Sequence, residues 1–324
     1  MTTLATSHIH TGFATQASLL DRARVLNADA GVVPRALIIA FDLDNGAANH
    51  LVGLHVRVLE STGAVVESRI LPAHATQADL NAHIDAANED DEIDGILILI
   101  PVPPQVDFCA GLNRIQPVKD IEGVHPSHAV HMLSTSGESD MLFPRRPVVV
   151  DSFLELFEDA GVSLDEDDLS VAIVSDVEII DNNPLANLMV RAAAPAVFPA
   201  AAALSLVTLA NPKTKDILRQ ADIVVVSLLR PRFLDQSWFK EGAIVLDFAP
   251  NVIGVKTLAS GRRVPELCGG VDVDSVAGGV SKLFPIPSGI GPVMLGVLAR
   301  NLAESAAYRR TRNTEDEVRP TTGG

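Results

Sequence analysis

Short aliphatic, β-branched runs alternate with helical stretches along almost the whole chain, and this alternation limits the fold more than any other feature of its 324 residues. The runs "RALIIAFDL" (Arg35 to Leu43), "AVVESRIL" (Ala64 to Leu71) and "GILILIPVP" (Gly95 to Pro103) are separated by helical segments such as "QADLNAHIDAANED". A second series follows, with "SVAIVSD", "PAVFPA", "ADIVVVSLL", "GAIVLDFAP" and "GGVDV" as its strand candidates. Strands separated by helices pair in parallel, because each crossover returns the chain to the same edge of the sheet. The fold class is therefore α/β, and the length allows two domains with a core each. Between the series, "VVVDSFLELFEDAGV" predicts a bridging helix capped by Asp151 or Ser152. Near the end, "GPVMLGVLARNLAESAAYRR" is strongly periodic and predicts a helix, while "TRNTEDEVRPTTGG" is a polar tail without a core pattern.

Charge and composition exclude several classes of function. A formal net charge of −16 and only 4% aromatic residues disfavour nucleic-acid binding, which needs clustered cations and stacking rings. The same charge disfavours an anionic membrane surface. The segment from Ala192 to Pro212 carries no charge, but Pro195 and Pro199 interrupt it; it reads as a buried strand and turn followed by an Ala-rich packed segment. Cys109 and Cys268 form no paired motif, and the opening residues lack a signal-peptide pattern, so a cytoplasmic protein is expected.

Two local patterns bear on chemistry. In "LSVAIVSDVEIIDNNPLANLM" a buried strand runs into a turn and helix, as in nucleotide-binding units, but the turn has Asp176, Glu178 and Asp181 where glycines would let a pyrophosphate approach. Each carboxylate repels a pyrophosphate by about 1 kcal/mol in water-like surroundings. In "HPSHAVHM", His125, His128 and His131 recur at three-residue spacing; they match no specific metal motif, and no metal site is expected.

Three longer stretches carry a family resemblance: "PVKDIEGVHPSHAVHM", "QADIVVVSLLRPRFLDQSWFKEGAIVLDFAPN" and "FPIPSGIGPVMLGVLARNL". With the order of segments, they resemble the bifunctional methylene-tetrahydrofolate dehydrogenase/methenyl-tetrahydrofolate cyclohydrolase family over nearly the whole chain. The most specific parts are "KDIEG" (Lys119 to Gly123) and "PIPSGIGPVM" (Pro285 to Met294). The resemblance implies an N-terminal catalytic-type domain (1–150 plus 291–324, the last helix returning to it) and a Rossmann-like domain (151–290). It also implies NADP as cofactor and a homodimer, or a heterodimer with a relative.

Several positions depart from the family pattern. "DNGAANHLVGLH" places Leu51 at the family's tyrosine and His55 at its catalytic lysine. A histidine there can act as a base near neutral pH, or be a solvent-facing or partly packed helix residue. Leu99 replaces a glutamine that supports the lysine; burying a pterin's polar edge against Leu51 and Leu99 costs about 1–3 kcal/mol per unpaired group. Asp120 and Glu122 retain the acidic loop that could pair with the amino-pyrimidine end of a pterin, or else Asp120 caps a turn and Glu122 is solvated. Pro287, Gly289, Gly291 and Pro292 keep most of the loop that contacts folate in the family; a chain reversal alone would also keep both glycines. At the phosphate turn an alignment without a gap puts Ser175 and Asp181 on the family's glycines and Val177 on its serine, whereas a one-residue insertion would bring Pro184 onto the family's proline; in either register the glycines are absent. Leu229 and Ala249 replace two more glycines, and "VFPAAAA" offers no cation. NADP binding is therefore expected to be lost and no cofactor is expected. The resemblance then implies a protein that binds, or acts without nicotinamide on, a folate-like small molecule. The alternatives are an active bifunctional enzyme with atypical residues and a non-catalytic partner subunit.

Overall fold

The computed structural model describes residues 8–43, 47–128, 143–164, 166, 168–176, 194–257, 261 and 263–318, with side chains described as far as 311. The chain divides into two compact units, one of residues 17–148 and 295–324, the other of residues 1–16 and 149–294.

The first unit is built on α1 (Phe13–Ala30), β1 (Arg35–Asp42), α2 (Ala47–Glu60), β2 (Val65–Pro72), α3 (Gln77–Glu89), β3 (Gly95–Ile98) and α4 (Phe108–Arg114). Its sheet has the order β2-β1-β3, both pairs parallel. Six consecutive residues of β1 are buried, as a strand covered on both faces requires. The chain leaves β1 for β2 on one side, then crosses to β3 on the other. The strand order thus reverses between β1 and β3, and ligands in open parallel sheets bind outside the carboxyl ends at such a reversal. A capping box starts α3: Thr76 Oγ accepts from the Asp79 amide at 3.3 Å, and Asp79 accepts from the Thr76 amide at 2.7 Å.

The second unit contains α5 (Val148–Asp159), β4 (Ser170–Ser175), α6 (Ala194–Val197), β5 (Ala203–Thr208), α7 (Thr214–Leu218), β6 (Ile223–Ser227), β7 (Ile244–Asp247), β8 (Asn251–Thr257), β9 (Arg263–Cys268), α8 (Val273–Val276) and β10 (Lys282–Phe284). The final helix, α9 (Ile290–Val318), begins there, and from Leu295 onward it belongs to the first unit. Five parallel strands run in the order β10-β7-β6-β4-β5, and β8 with β9 forms a separate antiparallel ribbon. Here the reversal lies between β4 and β6.

The structure corrects several sequence expectations. "PAVFPA" is no strand: Pro195 and Pro199 cannot donate to a ladder, so the chain makes the short α6 and the strand starts at Ala203. "GGVDV" contributes only an isolated bridge, Leu234 to Val271, before Asp272 caps α8. Neither Asp151 nor Ser152 caps α5, which begins at Val148 just after Pro147; the Val148 amide donates 2.8 Å to the Glu122 carbonyl, so a tertiary contact satisfies it. The helix of α9 continues into the polar tail as far as Val318. The first sixteen residues fall with the second unit, through a bridge from Ile9 to Leu283 and a 2.8 Å bond from the Gly12 amide to the Ser288 carbonyl. Among the described residues no helix is long and apolar enough to cross a membrane.

Candidate functional site

The first unit's reversal point is bounded by the ends of β1 and β3, with α2 following β1. Leu99 extends β3 by one residue, its amide donating 2.8 Å to the Ile39 carbonyl, and its side chain is buried. On α2, Leu51 and His55 lie one turn apart and both are half-buried. His55 Nδ1 donates to the Leu51 carbonyl at 2.9 Å. A carbonyl only accepts, so the proton sits on Nδ1 and Nε2 is left as the ring's acceptor. Burial holds the imidazole below its ordinary pKa, the Leu51 hydrogen bond opposing it only in part. The neutral ring is thus in the form that can take a proton.

The acidic loop is attached to β3 by a bridge from Ile96 to Asp120. It starts at Lys119, whose wholly buried ammonium donates 2.8 Å to each of the Ala87, Asn88 and Asp90 carbonyls at the end of α3. Those carbonyls have no helical partner, and a cation at a helix C-terminus also suits the dipole. Burial, with Arg309 second, lowers the Lys119 pKa to about 8. Asp120 organises the turn itself: Oδ1 accepts from the Glu122 and Gly123 amides at 3.0 Å each, and Oδ2 from the His125 amide at 2.7 Å. Gly123 takes φ +72°, and a Cβ there would overlap the Arg146 carbonyl.

Glu122 is the exception in this loop. Its side chain is only 9% exposed, so the solvated alternative for this residue does not hold, and Oε2 has no hydrogen-bond partner. Burial, with the Asp120 carboxylate second, raises its pKa to about 8, and the group is a neutral acid at pH 7. Asp120 is already engaged with three amides, whereas Glu122 is not. The structure therefore brings Asp120 and Glu122 together on one loop and places His55 and Leu51 on another element, α2.

The histidine cluster splits. His128 is wholly buried; Nε2 donates to the Pro117 carbonyl at 3.0 Å and Nδ1 accepts from the Arg145 amide at 3.3 Å. His125 contacts Ser127 Oγ at 2.5 Å and the Asn113 carbonyl at 3.3 Å. His131 lies outside the described residues, and among those described no group of three or more His, Cys, Asp or Glu could hold a metal ion.

At the second unit's reversal point, Ser175 ends β4 and is buried, as is Asp176, while Val177 and Asp181 lie outside the described residues. The Asp176 carboxylate faces Arg230 Nε at 3.5 Å, beyond the end of β6. Ser227 Oγ is buried there without a partner. Leu229 is exposed and Ala249 buried. In the glycine-rich loop, Gly289 is sterically required: a Cβ would lie 2.8 Å from the Pro285 carbonyl oxygen and 2.9 Å from the Phe284 carbonyl carbon. At Gly291 a Cβ would meet nothing within 4 Å, so the chain reversal explains Gly289 but not Gly291. Pro287 is exposed, and Pro292 is buried in the first turn of α9.

Sequence reasoning missed Arg145, Asn301 and Ser305, all buried beside the acidic loop. No local pattern marks them, since their partners lie up to 180 positions away.

Comparison with known proteins matches two family models in succession along the chain. The model described as tetrahydrofolate dehydrogenase/cyclohydrolase, catalytic domain, matches residues 8–122, and that of the NAD(P)-binding domain matches residues 147–310. The bifunctional protein FolD of Campylobacter fetus subsp. fetus is 32% identical over 284 residues, covering 87% of this chain and 90% of the relative. That of Dehalococcoides mccartyi is 31% identical over 307 residues, covering 93% and 97%. The solved FolD structure from Campylobacter jejuni has a TM-score of 0.73 at 24% identity over 92% of this chain and 98% of its own. The Trypanosoma brucei FolD, solved with NADP cofactor and inhibitor, has a TM-score of 0.73 at 24% identity over 94% and 98%. These structural likenesses show the fold. With both domain models matched in order and relatives above 30% identity along most of the chain, this protein belongs to the tetrahydrofolate dehydrogenase/cyclohydrolase family.

Proposed function

We propose that this protein binds a one-carbon tetrahydrofolate at the first unit's reversal point and carries out the hydrolytic, nicotinamide-independent half of the family's chemistry. The observation that carries the reading is Glu122, a buried acid with an unpartnered oxygen on a loop whose other polar groups are engaged. Such a group suits the amino-pyrimidine edge of a pterin, which offers paired donors and acceptors. His55 supplies the second part. Its free Nε2 takes a proton from water as the oxygen adds to the methenyl carbon, and returns it to the ring nitrogen when that carbon–nitrogen bond breaks; the remaining hydroxyl proton leaves to solvent as the carbonyl forms, giving an N-formyl product.

The second unit fits a nicotinamide dinucleotide poorly. The Asp176 carboxylate stands where strand order reverses, its facing cation Arg230 is paired with it, and the sequence of the following turn contains no glycine. No step is therefore assigned to NADP. The names of the curated relatives favour a second reading, an active bifunctional enzyme.

The test is to follow the methenyl chromophore. Loss from methenyl-tetrahydrofolate that needs no NADP, falls at least about a hundredfold in His55→Ala and leaves N-formyl product supports the proposal. NADP-dependent formation of the chromophore from methylene-tetrahydrofolate, or saturable micromolar NADP binding, refutes the loss of the redox step. Binding without turnover would leave only the binding role.

A further inference from the structure

The Asp120–Gly123 backbone is held by groups remote in sequence. Arg145 Nη1 donates to the Asp120 carbonyl at 3.0 Å, Asn301 Nδ2 to the Ile121 carbonyl at 2.9 Å, and the Val148 amide to the Glu122 carbonyl at 2.8 Å. On the amide side, the Asp120 carboxylate accepts from residues 122, 123 and 125. Arg145 ties the two parts of the clamp together: its Nη2 donates at 3.0 Å to both the Asn301 carbonyl and Ser305 Oγ on α9. Its amide in turn donates to His128, and its guanidinium lies 4.9 Å over the Phe143 ring. A planar fork suits this task, because a single rigid group reaches two elements at once; a lysine ammonium cannot span both in the same geometry.

We propose that Arg145 is the positioning residue of the acidic loop: by bridging the Asp120 carbonyl to α9 it holds the Glu122 carboxyl at a fixed, dry position, and recognition of ligand by that carboxyl depends on it. The inference rests on the proposed ligand-reading role of Glu122 for its functional part, and on geometry alone for its structural part. Among the described residues the charged and titratable groups around the loop include Lys119, Asp120, His125, His128, Arg145 itself, Arg146, whose carbonyl lies against Gly123, and Glu304 of α9, which approaches Arg145 Nη2 at 3.9 Å. None of the described contacts gives Glu122 a cation. Its protonated state therefore reports how well the clamp excludes water, which makes the role measurable.

The experiment compares the full-length wild type with Arg145→Lys and Ser305→Ala, using carboxyl-labelled glutamate. Glu122 is assigned by its absence in Glu122→Gln, and its ionisation is followed by NMR. Circular dichroism confirms folding, and Ser305→Ala, which removes one acceptor, serves if Arg145→Lys does not fold. The expected result is a downward shift of the Glu122 titration towards the ordinary carboxylate range in each folded variant, larger for Arg145→Lys. Methenyl-tetrahydrofolate affinity should fall about tenfold to a hundredfold in Arg145→Lys, as a displaced recognition group predicts. A role confined to stability would lower the unfolding midpoint and leave the titration where it is. Wild-type titration in the folded variants overturns the clamp. Absence of methenyl-tetrahydrofolate binding by the wild type overturns the ligand reading, and the titration then decides the structural part separately.

Discussion

Replacing Glu122 by glutamine removes a proton equilibrium while keeping the side chain's shape, and the structure fixes the sign of the change in stability. The carboxyl is buried with an unpartnered oxygen, and its pKa rises from 4.5 to about 8. Below about pH 4.5 the acid is protonated whether the chain is folded or not. Between 4.5 and 8 the unfolded chain ionises while the folded one keeps its proton, so wild-type stability falls as pH rises and levels off above about 8. Each tenfold change in proton affinity is about 1.4 kcal/mol, which makes the full effect about 5 kcal/mol and the part reached at pH 7 about 3 kcal/mol. The glutamine variant lacks this loss and should gain on the wild type by those amounts. The assay is urea unfolding of both proteins from pH 5 to pH 9, followed through the single tyrosine, Tyr308, which lies in the same unit as Glu122; the single tryptophan, Trp238, lies in the other and serves as control. Taking the difference cancels other titrating groups, including Asp247, which burial raises to about 7. A stability difference that stays constant over that range would refute the claim that Glu122 is a neutral buried acid.

Other perturbations test neighbouring contacts. Lys119→Met removes the ammonium shared by the Ala87, Asn88 and Asp90 carbonyls, of which Asn88 keeps a 3.2 Å bond from Gln116 Nε2 and Asp90 one of 3.2 Å from the Ile93 amide, and should cost about 2–3 kcal/mol in the same unfolding assay. Arg309→Met removes the cation 2.8 Å from the wholly buried Asp94 and should cost about 3–5 kcal/mol, as leaving an unpaired buried charge does. Gly289→Ala forces a Cβ against Pro285 and Phe284 and should destabilise by at least about 1 kcal/mol. Gly291→Ala meets open space and should stay within about 0.5 kcal/mol of the wild type; if ligand approaches there, folate affinity falls while the unfolding midpoint holds.

The alternating runs of the sequence were enough to place β1, β3, β4, β6 and β7, because a strand buried on both faces leaves an unbroken aliphatic run; β2, largely exposed and carrying Glu67 and Arg69, was legible only from its β-branched residues and its place between helices. The motifs "KDIEG" and "PIPSGIGPVM" were enough to indicate the family, since local turn chemistry stays readable in short stretches. What the sequence alone left open was every feature set by distant partners. It placed Asp120 and Glu122 side by side but did not separate the carboxylate bound by three amides from the acid with an unpartnered Oε2, because burial is a property of packing and not of neighbours in the chain. It left His55 with two readings, and the hydrogen bond to Leu51 fixed which nitrogen carries the proton. Arg145 was invisible as one of two adjacent arginines until folding brought Asp120, Asn301 and Ser305 within 3.0 Å of its fork. Periodicity and turn residues are encoded locally and survive in a linear reading; the burial of Glu122, and the bonds that join its loop to a helix more than 150 residues away, are decided only by the tertiary structure.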